Sequence, residues 1–521
     1  MTATPPFPLI RNLADLKQRE FDVLVVGGGI YGAWTAYDAA LRGLSVALIE
    51  RQDWACGTSS ASSKLIHGGL RYLEHYDFGL VRQALAERRR LHRLAPHLVH
   101  PLDFVMPVWK GPRASMLLLE CGLFLYDLLG LPLKPVRWHR RYSKAAMLQG
   151  FPYVDPERLL GGFRYGDCQE DDARMTLEVV AAAQAAGAVV ANRVDALKLE
   201  PVSGAQVATV RDTERGETWS VRAKVVVNAA GPWAPQLLGA GAPAVKRVKG
   251  IHILLPAIPG CRQAFLLTAD DGRVFFVIPW YGRTLVGTTE SELFDPDNIT
   301  ASDADVRYLL AGVRKGLPGI DWTERDVIAR FAGARTLQAE NQQDLAAVTR
   351  EFVVTEPVPG ALMPLGGKYT TARCDAIEIV DRVQKRLGLR RTPSRTANQS
   401  LPGAPSLSVP FEEWLAASMA ELQSAGIDGT AAHALCLRYG NRIRRILELL
   451  REDGAWCTRL HPELPFIQAE VVVAVRDEMA RSFEDIFRRR IPILLLARFD
   501  NQARTALNEL SGSLLRCSNN F

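Results

Sequence analysis

The chain has 521 residues, enough for several domains of about 100–200 residues each. Hydrophobic residues make up 48% and charged residues 23%, an ordinary globular composition that argues against a disordered chain. The net charge of +6 permits an acidic partner, such as a phosphorylated substrate or an anionic membrane surface, without requiring one.

The eight cysteines are scattered, and the closest two, Cys436 and Cys457, lie 21 residues apart. There is no Cys-x-x-Cys pair, so neither a metal knuckle nor a redox dithiol is expected, and no metal site is predicted. Scattered cysteines favour a reducing compartment such as the cytoplasm over a disulfide-bonded scaffold. The N-terminal residues contain no apolar run behind a basic start, so no signal peptide is expected.

The clearest motif follows the first predicted strand. Val23–Val26 is a short, wholly apolar run, as a buried parallel strand requires. Gly27, Gly29 and Gly32 then match G-x-G-x-x-G. The first glycine allows a tight turn, the second lets a pyrophosphate approach the backbone, and the third lets the next helix pack on the strand. The phosphates would meet free N–H groups at the start of that helix.

A second predicted strand, SVALIE, ends at Glu50, 18 residues after Gly32. A carboxylate at this place binds the ribose hydroxyls of a dinucleotide and disfavours the 2′-phosphate of NADP. Strand, glycine turn, helix, strand and terminal acid together predict a Rossmann-like dinucleotide domain. These residues alone leave FAD and NAD both open.

The segment TSSASSKLIHGG, which follows the second strand, resembles the flavin-contacting segment of the FAD-dependent, respiratory glycerol-3-phosphate dehydrogenase family. The resemblance continues in order through DCQEDDARM, VVVNAAGPWA, FFVIPWYGRTLVGTTE, GGKYTTAR and LRYGNR, over nearly the whole chain. It implies an α/β fold. An FAD-binding domain of the glutathione-reductase and D-amino-acid-oxidase type would carry an antiparallel β substrate (cap) domain and a C-terminal helical domain.

The resemblance also implies the residues that hold FAD. Small residues would let the backbone lie against the flat isoalloxazine ring, and Val194 would offer its backbone to adenine. The predicted FAD-binding residues are Gly27, Gly28, Gly29, Ile30, Gly32, Glu50, Arg51, Thr58, Ser59, Ser60, Ser63, Lys64, Leu65, His67, Gly68, Val194, Ala230, Gly231, Trp233, Gly366, Gly367, Lys368, Tyr369 and Thr370. For His67 a structural role is the alternative.

Five residues are predicted at the substrate. The resemblance places Arg71 and Tyr72 just beyond the flavin, although a surface salt bridge is the alternative for Arg71. His252 is the predicted base, because an imidazole titrates near the working pH; a histidine bonded within a sheet is the alternative. Arg335, in a predicted turn of small residues, and Lys368 complete the catalytic set. The arginine fork suits a phosphate.

Met116–Leu133 is the most apolar segment, but Glu120 and Asp127 interrupt it, so a transmembrane helix is rejected. The next stretch, KPVRWHRRYSK, carries two aromatic residues and no acid. Its cations are Lys134, Arg137, Arg140, Arg141 and Lys144. This combination suits an anionic membrane surface, with a core helix and a solvated basic loop as the alternative. Nucleic acid is not expected, because no recognised binding fold accompanies the patch.

The predicted FAD domain spans residues 1–390 and is discontinuous, with cap segments inserted at about 100–150 and 241–330. Short β-rich runs between residues 252 and 289 predict an antiparallel sheet over the flavin. By resemblance, Thr370 and Thr371 help to cap the helix that follows them. A Pro/Ser-rich linker is predicted at 391–410, and helical spacing of apolar residues predicts a helical domain at 411–521.

The sequence departs from the family pattern at Thr336, Tyr369, Ala372 and Ile491, where proline, leucine, tyrosine and threonine are usual. The leading expectation is oxidation of sn-glycerol 3-phosphate to dihydroxyacetone phosphate by hydride transfer to flavin N5. Electrons would pass to a quinone at the cytoplasmic face of the cell membrane. Oxygen as acceptor, another hydroxy acid or polyol phosphate as substrate, and a flavin-loaded assembly or sensor protein without turnover stay open. The oligomeric state also stays open, with a homodimer as one option.

Overall fold

The computed structural model describes residues 7–70, 73, 76–111, 115–132, 135–339 and 351–518. Its helices are α1 (Leu13–Gln18), α2 (Ile30–Leu41), α3 (Phe78–Leu94), α4 (Met116–Leu129), α5 (Lys144–Gly150), α6 (Asp172–Ala185), α7 (Ala234–Leu238), α8 (Asp303–Gly316), α9 (Ala372–Arg386), α10 (Phe411–Ser424), α11 (Gly429–Tyr439), α12 (Ile443–Glu452), α13 (Gln468–Arg476), α14 (Ile493–Leu496) and α15 (Asn501–Ser518). A π-helix spans Asp485–Arg490.

The strands are β1 (Phe21–Val26), β2 (Val46–Ile49), β3 (Leu65–Ile66), β4 (Val99–Trp109), β5 (Arg140–Ser143), β6 (Leu159–Glu170), β7 (Val189–Ala191), β8 (Val194–Val202), β9 (Ala205–Asp212), β10 (Thr218–Asn228), β11 (Val245–Pro256), β12 (Ala264–Thr268), β13 (Val274–Trp280), β14 (Arg283–Gly287), β15 (Ser291–Glu292), β16 (Ala329–Gln338), β17 (Val353–Val358) and β18 (Ala361–Leu365).

The centre of the first sheet is parallel, in the order β18–β10–β1–β2–β7. Strand β17 pairs antiparallel with β18, and β9 pairs antiparallel with β10 and β8. Val26 lies beside both Ile49 and Asn228, so the loops after β1, β2 and β10 leave the sheet at one edge. The predicted Rossmann-like domain is confirmed, and open parallel sheets of this kind bind ligands at that edge.

Helix α2 is almost entirely buried, because its alanines let it pack between the sheet, α6 and α9. It begins at the glycine turn after β1 and ends before Gly43, where a φ of +84° breaks the helix. The helix therefore fixes the glycine turn against the core of the domain.

The second sheet is mostly antiparallel, in the order β15–β11–β14–β13–β12–β4–β6–β3, with β16 beside β11 and β5 beside β6. The predicted antiparallel sheet is confirmed. Its β13–β14 hairpin turns at Tyr281 and Gly282, which both have positive φ, as a tight hairpin requires. The sheet takes strands from residues 65–66, 99–170 and 245–338. The predicted inserts were about 100–150 and 241–330, and the division into domains stays a prediction.

The predicted turn at Arg335 is wrong, because Arg335 lies inside β16. The preceding residues are small for a different reason. Residues 58–61 pack against the strand, and a Cβ on Gly333 would lie only 3.0 Å from Cβ of Ala61. Small residues here mark a close approach of two backbones rather than a turn.

The C-terminal region is helical, as predicted, and runs from α10 to α15. Between α9 and α10 the chain has no α-helix and forms a short 3₁₀ turn at Thr396–Asn398. The helices enclose a core in which Leu435, Ile446 and Phe466 are fully buried. None of the helices in the described part of the chain combines the length and the hydrophobicity that a membrane span requires.

Candidate active site

The turn after β1 has room for backbone only. A Cβ on Gly27 would lie 2.5 Å from the carbonyl oxygen of Ala229, and a Cβ on Gly32 would lie 1.9 Å from that of Gly27. Gly29 is the N-cap of α2 and supplies no side-chain hydrogen bond to the helix. The first turn of a helix carries N–H groups without partners inside the helix. A narrow turn with such groups fits a pyrophosphate.

Glu50 is buried at the end of β2. Its carboxylate accepts hydrogen bonds from the N–H groups of Gly28 and Gln52, at 2.7 and 2.8 Å. Burial raises the pKa of Glu50, and these backbone bonds act against that rise. The Val194 N–H donates to the Glu50 carbonyl oxygen at 2.8 Å. The predicted ribose acid and the predicted adenine contact therefore lie side by side.

A cavity of about 480 Å³ lies at this end of the site, lined by Arg51, Gln52, Arg193, Asp195, Thr213 and Asp297. The Arg51 guanidinium lies 4.3 Å from the centre of the Trp233 ring, and Trp233 Nε1 donates to Asp297 Oδ1 at 2.7 Å. Trp233 follows Ala230 and Gly231 after β10. Arg51 is the predicted FAD-binding residue among those that line the cavity, and it contacts Trp233, which is another.

The hydroxyls of the segment 58–63 bind other protein groups. Thr58 donates to Ala334 O at 2.6 Å, Ser59 accepts from Ile30 N–H at 2.9 Å, and Ser63 bonds to His252 Nε2 at 2.9 Å. These bonds tie the segment to α2 and to the second sheet at once. The segment thus forms a fixed floor between the two sheets, where the resemblance places the flavin.

Lys64 is buried with a φ of +57°, a conformation that costs energy for a residue with a side chain. Its Nζ lies 2.6 Å from Asp172 Oδ1, and Ser62 Oγ donates to the other oxygen of Asp172 at 2.7 Å. Asp172 lies in the quoted segment DCQEDDARM, but sequence reasoning assigned it no role. The ion pair holds the bend that precedes His67 and Gly68.

Gly68 and His67 are anchored from two sides. The Gly68 N–H donates to the Tyr126 hydroxyl at 2.8 Å, and Tyr126 in turn donates to Asp167 at 2.8 Å. The His67 N–H donates to Thr370 Oγ1 at 3.2 Å. Sequence reasoning missed Tyr126, because an apolar helix gave no sign of which residue faces inward. Arg71 and Tyr72, the next predicted site residues, lie outside the described residues.

His252 lies on β11, beside Phe331 of β16. The two rings stack with centres 5.1 Å apart. Burial, and then the positive charges of Lys64 and Arg335, lower the pKa of His252 to about 3. The imidazole is therefore neutral at pH 7, which is the form that can accept a proton, but its pKa lies well below the working pH, so the predicted titration near that pH is wrong.

Arg335 lies on β16, next to β11. Its Nη1 donates to Glu290 Oε1 at 3.0 Å, and the Glu290 side chain is only 8% exposed. The Gly366 N–H donates to the Thr336 carbonyl oxygen at 2.9 Å, which brings the loop that carries Lys368 beside Arg335. Sequence reasoning missed Glu290, although it ends the quoted motif GRTLVGTTE.

The family departure at Tyr369 makes hydrogen bonds inside the protein. The Tyr369 hydroxyl donates to Asp172 O at 2.5 Å and bonds to Thr176 Oγ1 at 2.9 Å. The departure at Ala372 is fully buried, and three residues further along α9 Asp375 accepts a hydrogen bond from the Tyr31 hydroxyl at 2.6 Å. The expected capping by Thr371 is wrong: it occupies the N-cap position of α9, but its hydroxyl donates to the Asp375 carboxylate rather than accepting a helix N–H.

Comparison with known proteins identifies relatives over almost the full length. A family described as FAD dependent oxidoreductase matches residues 22–373, and the C-terminal domain of alpha-glycerophosphate oxidase matches residues 394–515. A glycerol-3-phosphate dehydrogenase of Synechocystis is 36% identical over 510 residues, which covers 94% of this chain and 91% of that protein. Glycerol-3-phosphate dehydrogenase 2 of Mycobacterium tuberculosis is 37% identical, covering 92% and 82%.

A solved structure agrees with these relatives. The glycerol-3-phosphate dehydrogenase of Bacillus halodurans, determined in complex with FAD, superposes with a TM-score of 0.76 at 27% identity, covering 97% of this chain and 91% of that one. The glycine turn, the buried acid after β2 and the floor between the sheets all fit a dinucleotide of this kind. This chain therefore belongs to the family of FAD-dependent glycerol-3-phosphate dehydrogenases.

Proposed function

We propose that this protein oxidises the secondary alcohol of sn-glycerol 3-phosphate to dihydroxyacetone phosphate and passes the electrons to a membrane quinone. FAD supplies the hydride acceptor when bound. The observation that carries the proposal is the pairing of β11 with β16. This pairing brings His252, which is buried and neutral, near Arg335, and His252 bonds to Ser63 of the segment 58–63.

His252 would take the hydroxyl proton while the substrate carbon loses its hydride, since a general base must be unprotonated to act. Ser63 fixes the imidazole through its bond to Nε2. Arg335 would hold the phosphate. A guanidinium can pair two phosphate oxygens at once, and the bond to Glu290 orients the Arg335 side chain. Lys368 would add a second cation, and Arg71 and Tyr72 stay predicted substrate contacts.

Anaerobic reduction of the flavin tests the substrate. We expect glycerol 3-phosphate to bleach the flavin absorbance, while glycerol, glycerol 2-phosphate and lactate leave it unchanged. Bleaching by another hydroxy acid or polyol phosphate, and not by glycerol 3-phosphate, would replace the proposed substrate. An FAD-loaded protein that no alcohol reduces would favour the assembly or sensor alternative.

Reoxidation of the reduced enzyme tests the electron acceptor. Rapid mixing with a short-chain quinone or with dioxygen gives two rates that can be compared directly. We expect the quinone to reoxidise the flavin much faster than dioxygen. The opposite ranking would make the protein an oxidase.

We further propose that α4 docks on an anionic membrane surface at the cytoplasmic face. Leu117 and Leu118 are each 70% exposed, which argues against the alternative of a core helix. The exposed ring of Trp138, which follows α4, lies 6.2 Å from the ring of Phe124 on α4.

The segment after α4 carries Arg137, Arg140 and Arg141, whereas Lys134 lies outside the described residues. An apolar face bordered by cations suits a helix lying in the interface. The homodimer stays a prediction.

A further inference from the structure

We infer that the C-terminal helical domain holds the adenosine end of the FAD site in shape through Arg489 and Arg490. Both arginines lie in the π-helix Asp485–Arg490 and reach Asp53, three residues after Glu50. They would act as positioning residues, because neither belongs to the predicted FAD contacts. The inference rests on the FAD site of the family and is independent of which alcohol is oxidised.

Asp53 is completely buried and takes both arginines. Arg490 makes a two-pronged contact, with Nη1 to Oδ2 at 2.7 Å and Nη2 to Oδ1 at 2.8 Å. Arg489 Nε adds a bond to Oδ2 at 2.6 Å. These positive charges outweigh the cost of burial and lower the pKa of Asp53 to about 2. The carboxylate is therefore charged at pH 7 and cannot be satisfied without the two arginines.

The loop that Asp53 anchors touches the dinucleotide turn directly. Trp54 is buried, and a Cβ on Gly28 would lie 2.4 Å from its ring. The Ala55 N–H donates to Gly28 O at 3.0 Å, and Ala55 has a φ of +61°. Cys56 Sγ lies 3.5 Å from the Glu50 carboxylate. The loop that follows Glu50 is thus pressed onto the glycine turn, and a residue held in left-handed conformation needs outside support.

Two successive arginines of the π-helix reach one carboxylate. Residues adjacent in an α-helix project about 100° apart, whereas the wider turn of a π-helix re-aims its side chains. The widened turn is closed by a hydrogen bond from Ile491 N–H to Ile486 O at 2.8 Å. Such turns are frequent at functional sites.

The anchor continues into a buried network. The guanidinium of Arg490 donates to the Glu478 carbonyl oxygen at 2.7 Å. The Glu478 carboxylate accepts a two-pronged contact from Arg174 of α6, at 2.8 and 2.9 Å, and a bond from Arg442 at 2.7 Å. Helix α6 packs on α2, the helix that begins at the glycine turn. The C-terminal domain therefore contacts the dinucleotide domain at two places, the loop after Glu50 and helix α6.

A control separates this role from general stability. Arg438 and Glu470 form an equally buried two-pronged pair, with both bonds at 2.8 Å. Both residues belong to the C-terminal domain, on α11 and α13. Breaking this pair should loosen that domain without touching the loop after Glu50.

The test compares the rate of FAD release from the Arg490→Lys, Arg489→Lys and Arg438→Lys holoenzymes. The release is monitored as the rise in fluorescence of free flavin, with no substrate added. A lysine cannot make the two-pronged contact. Losing one charged hydrogen bond at the anchor should speed FAD release by about tenfold or more in Arg490→Lys. Arg438→Lys should release FAD at the wild-type rate, even if its melting temperature falls as much as that of Arg490→Lys.

Two results would overturn the inference. One is wild-type FAD release from both Arg490→Lys and Arg489→Lys. The other is equally fast release from Arg438→Lys, which would reduce the anchor to general stability. If Arg490→Lys does not fold, Arg489→Lys decides, because it keeps the two-pronged contact of Arg490 with Asp53. Since no substrate is added, a different substrate would leave the outcome unchanged.

Discussion

Arg335 presents its guanidinium from a strand rather than from a turn, so its position is fixed by the pairing of β16 with β11. We predict that Arg335→Ala weakens binding of glycerol 3-phosphate by about 1.5–3 kcal/mol, or about 10- to 150-fold, because a charged hydrogen bond to phosphate is lost. Arg335→Lys should recover only part of this affinity. Titration of the flavin spectrum with substrate measures it.

Arg330→Ala is the matched control for this prediction. Arg330 lies on the same strand, and its exposed side chain pairs with Asp303 on the surface, so its removal should leave both substrate affinity and FAD content unchanged. If Arg335→Ala keeps full catalytic efficiency, or strips the flavin, then Arg335 is not the phosphate anchor.

His252 is predicted to act on the proton and not on cofactor binding. His252→Gln should slow flavin reduction by about 10²- to 10⁴-fold, the usual contribution of a general base, while FAD content stays the same. Stopped-flow reduction under anaerobic conditions measures the rate. Ser63→Ala should cause a smaller loss, because Ser63 bonds to the ring but does not take the proton. An unchanged rate in His252→Gln would support the alternative of a histidine that merely completes the sheet.

The same residue gives a pH prediction. The folded pKa of His252 is about 3, below the usual value of 6.5 that the unfolded chain would have. Between these pH values the unfolded state binds a proton at this site and the folded state does not. The free energy of unfolding therefore decreases as the pH falls from about 6.5 towards 3. At pH 5, unfolding of His252→Gln should take up about one proton fewer than wild type. Calorimetry in buffers of different ionisation enthalpy counts the protons, and equal uptake would contradict the prediction.

Helix α4 carries the predicted membrane contact. We expect Leu117→Glu with Leu118→Glu to abolish most binding to anionic vesicles, because burying one leucine is worth about 1.5–3 kcal/mol. Neutral replacements of Arg137, Arg140 and Arg141 should also weaken binding. Vesicle sedimentation measures both. Leu407→Glu is the control, since Leu407 is similarly exposed but lies in the segment between α9 and α10. Equal loss in the control, or no wild-type binding at low salt, would exclude α4.

Two elements show where prediction from sequence stops. The glycines after β1 and the acid after β2 were predictable, because their chemistry is set by neighbours within 25 residues. The small residues before Arg335 predicted a turn, since glycine and alanine are equally suited to turns and to close contacts. Only the position of residues 58–61 against β16 distinguishes the two. In α4 the apolar character was evident, but the inward direction of Tyr126 was not.

At the scale of the whole molecule, two kinds of charge should respond differently to salt. The ion pairs between the C-terminal domain and the dinucleotide domain are buried, whereas the cations after α4 face solvent. We predict that raising salt to 1 M weakens binding to anionic vesicles and leaves FAD bound, because the screening length falls from about 10 Å at 0.1 M to about 3 Å. Fluorescence of free flavin in the supernatant checks this, and flavin release by salt alone would contradict it.

The contact of Asp53 with Arg490 spans 437 residues of sequence, and no local pattern indicates such a pair. The overall fold was predictable because each element repeats a known spacing, and the family resemblance supplied the order of the domains. The buried charges were not predictable, because aspartate and arginine look like surface residues until their partners are known.

Helix α4 has different tasks on its two sides, and this limits its length. Leu117 and Leu118 point outward, while Tyr126, eight residues further on, holds the Gly68 N–H. An α-helix turns by about 100° per residue, so one inserted or deleted residue between these positions would rotate one side out of phase with the other. The helix therefore allows no change of register between its two sides, and variation in length must fall outside residues 117–126.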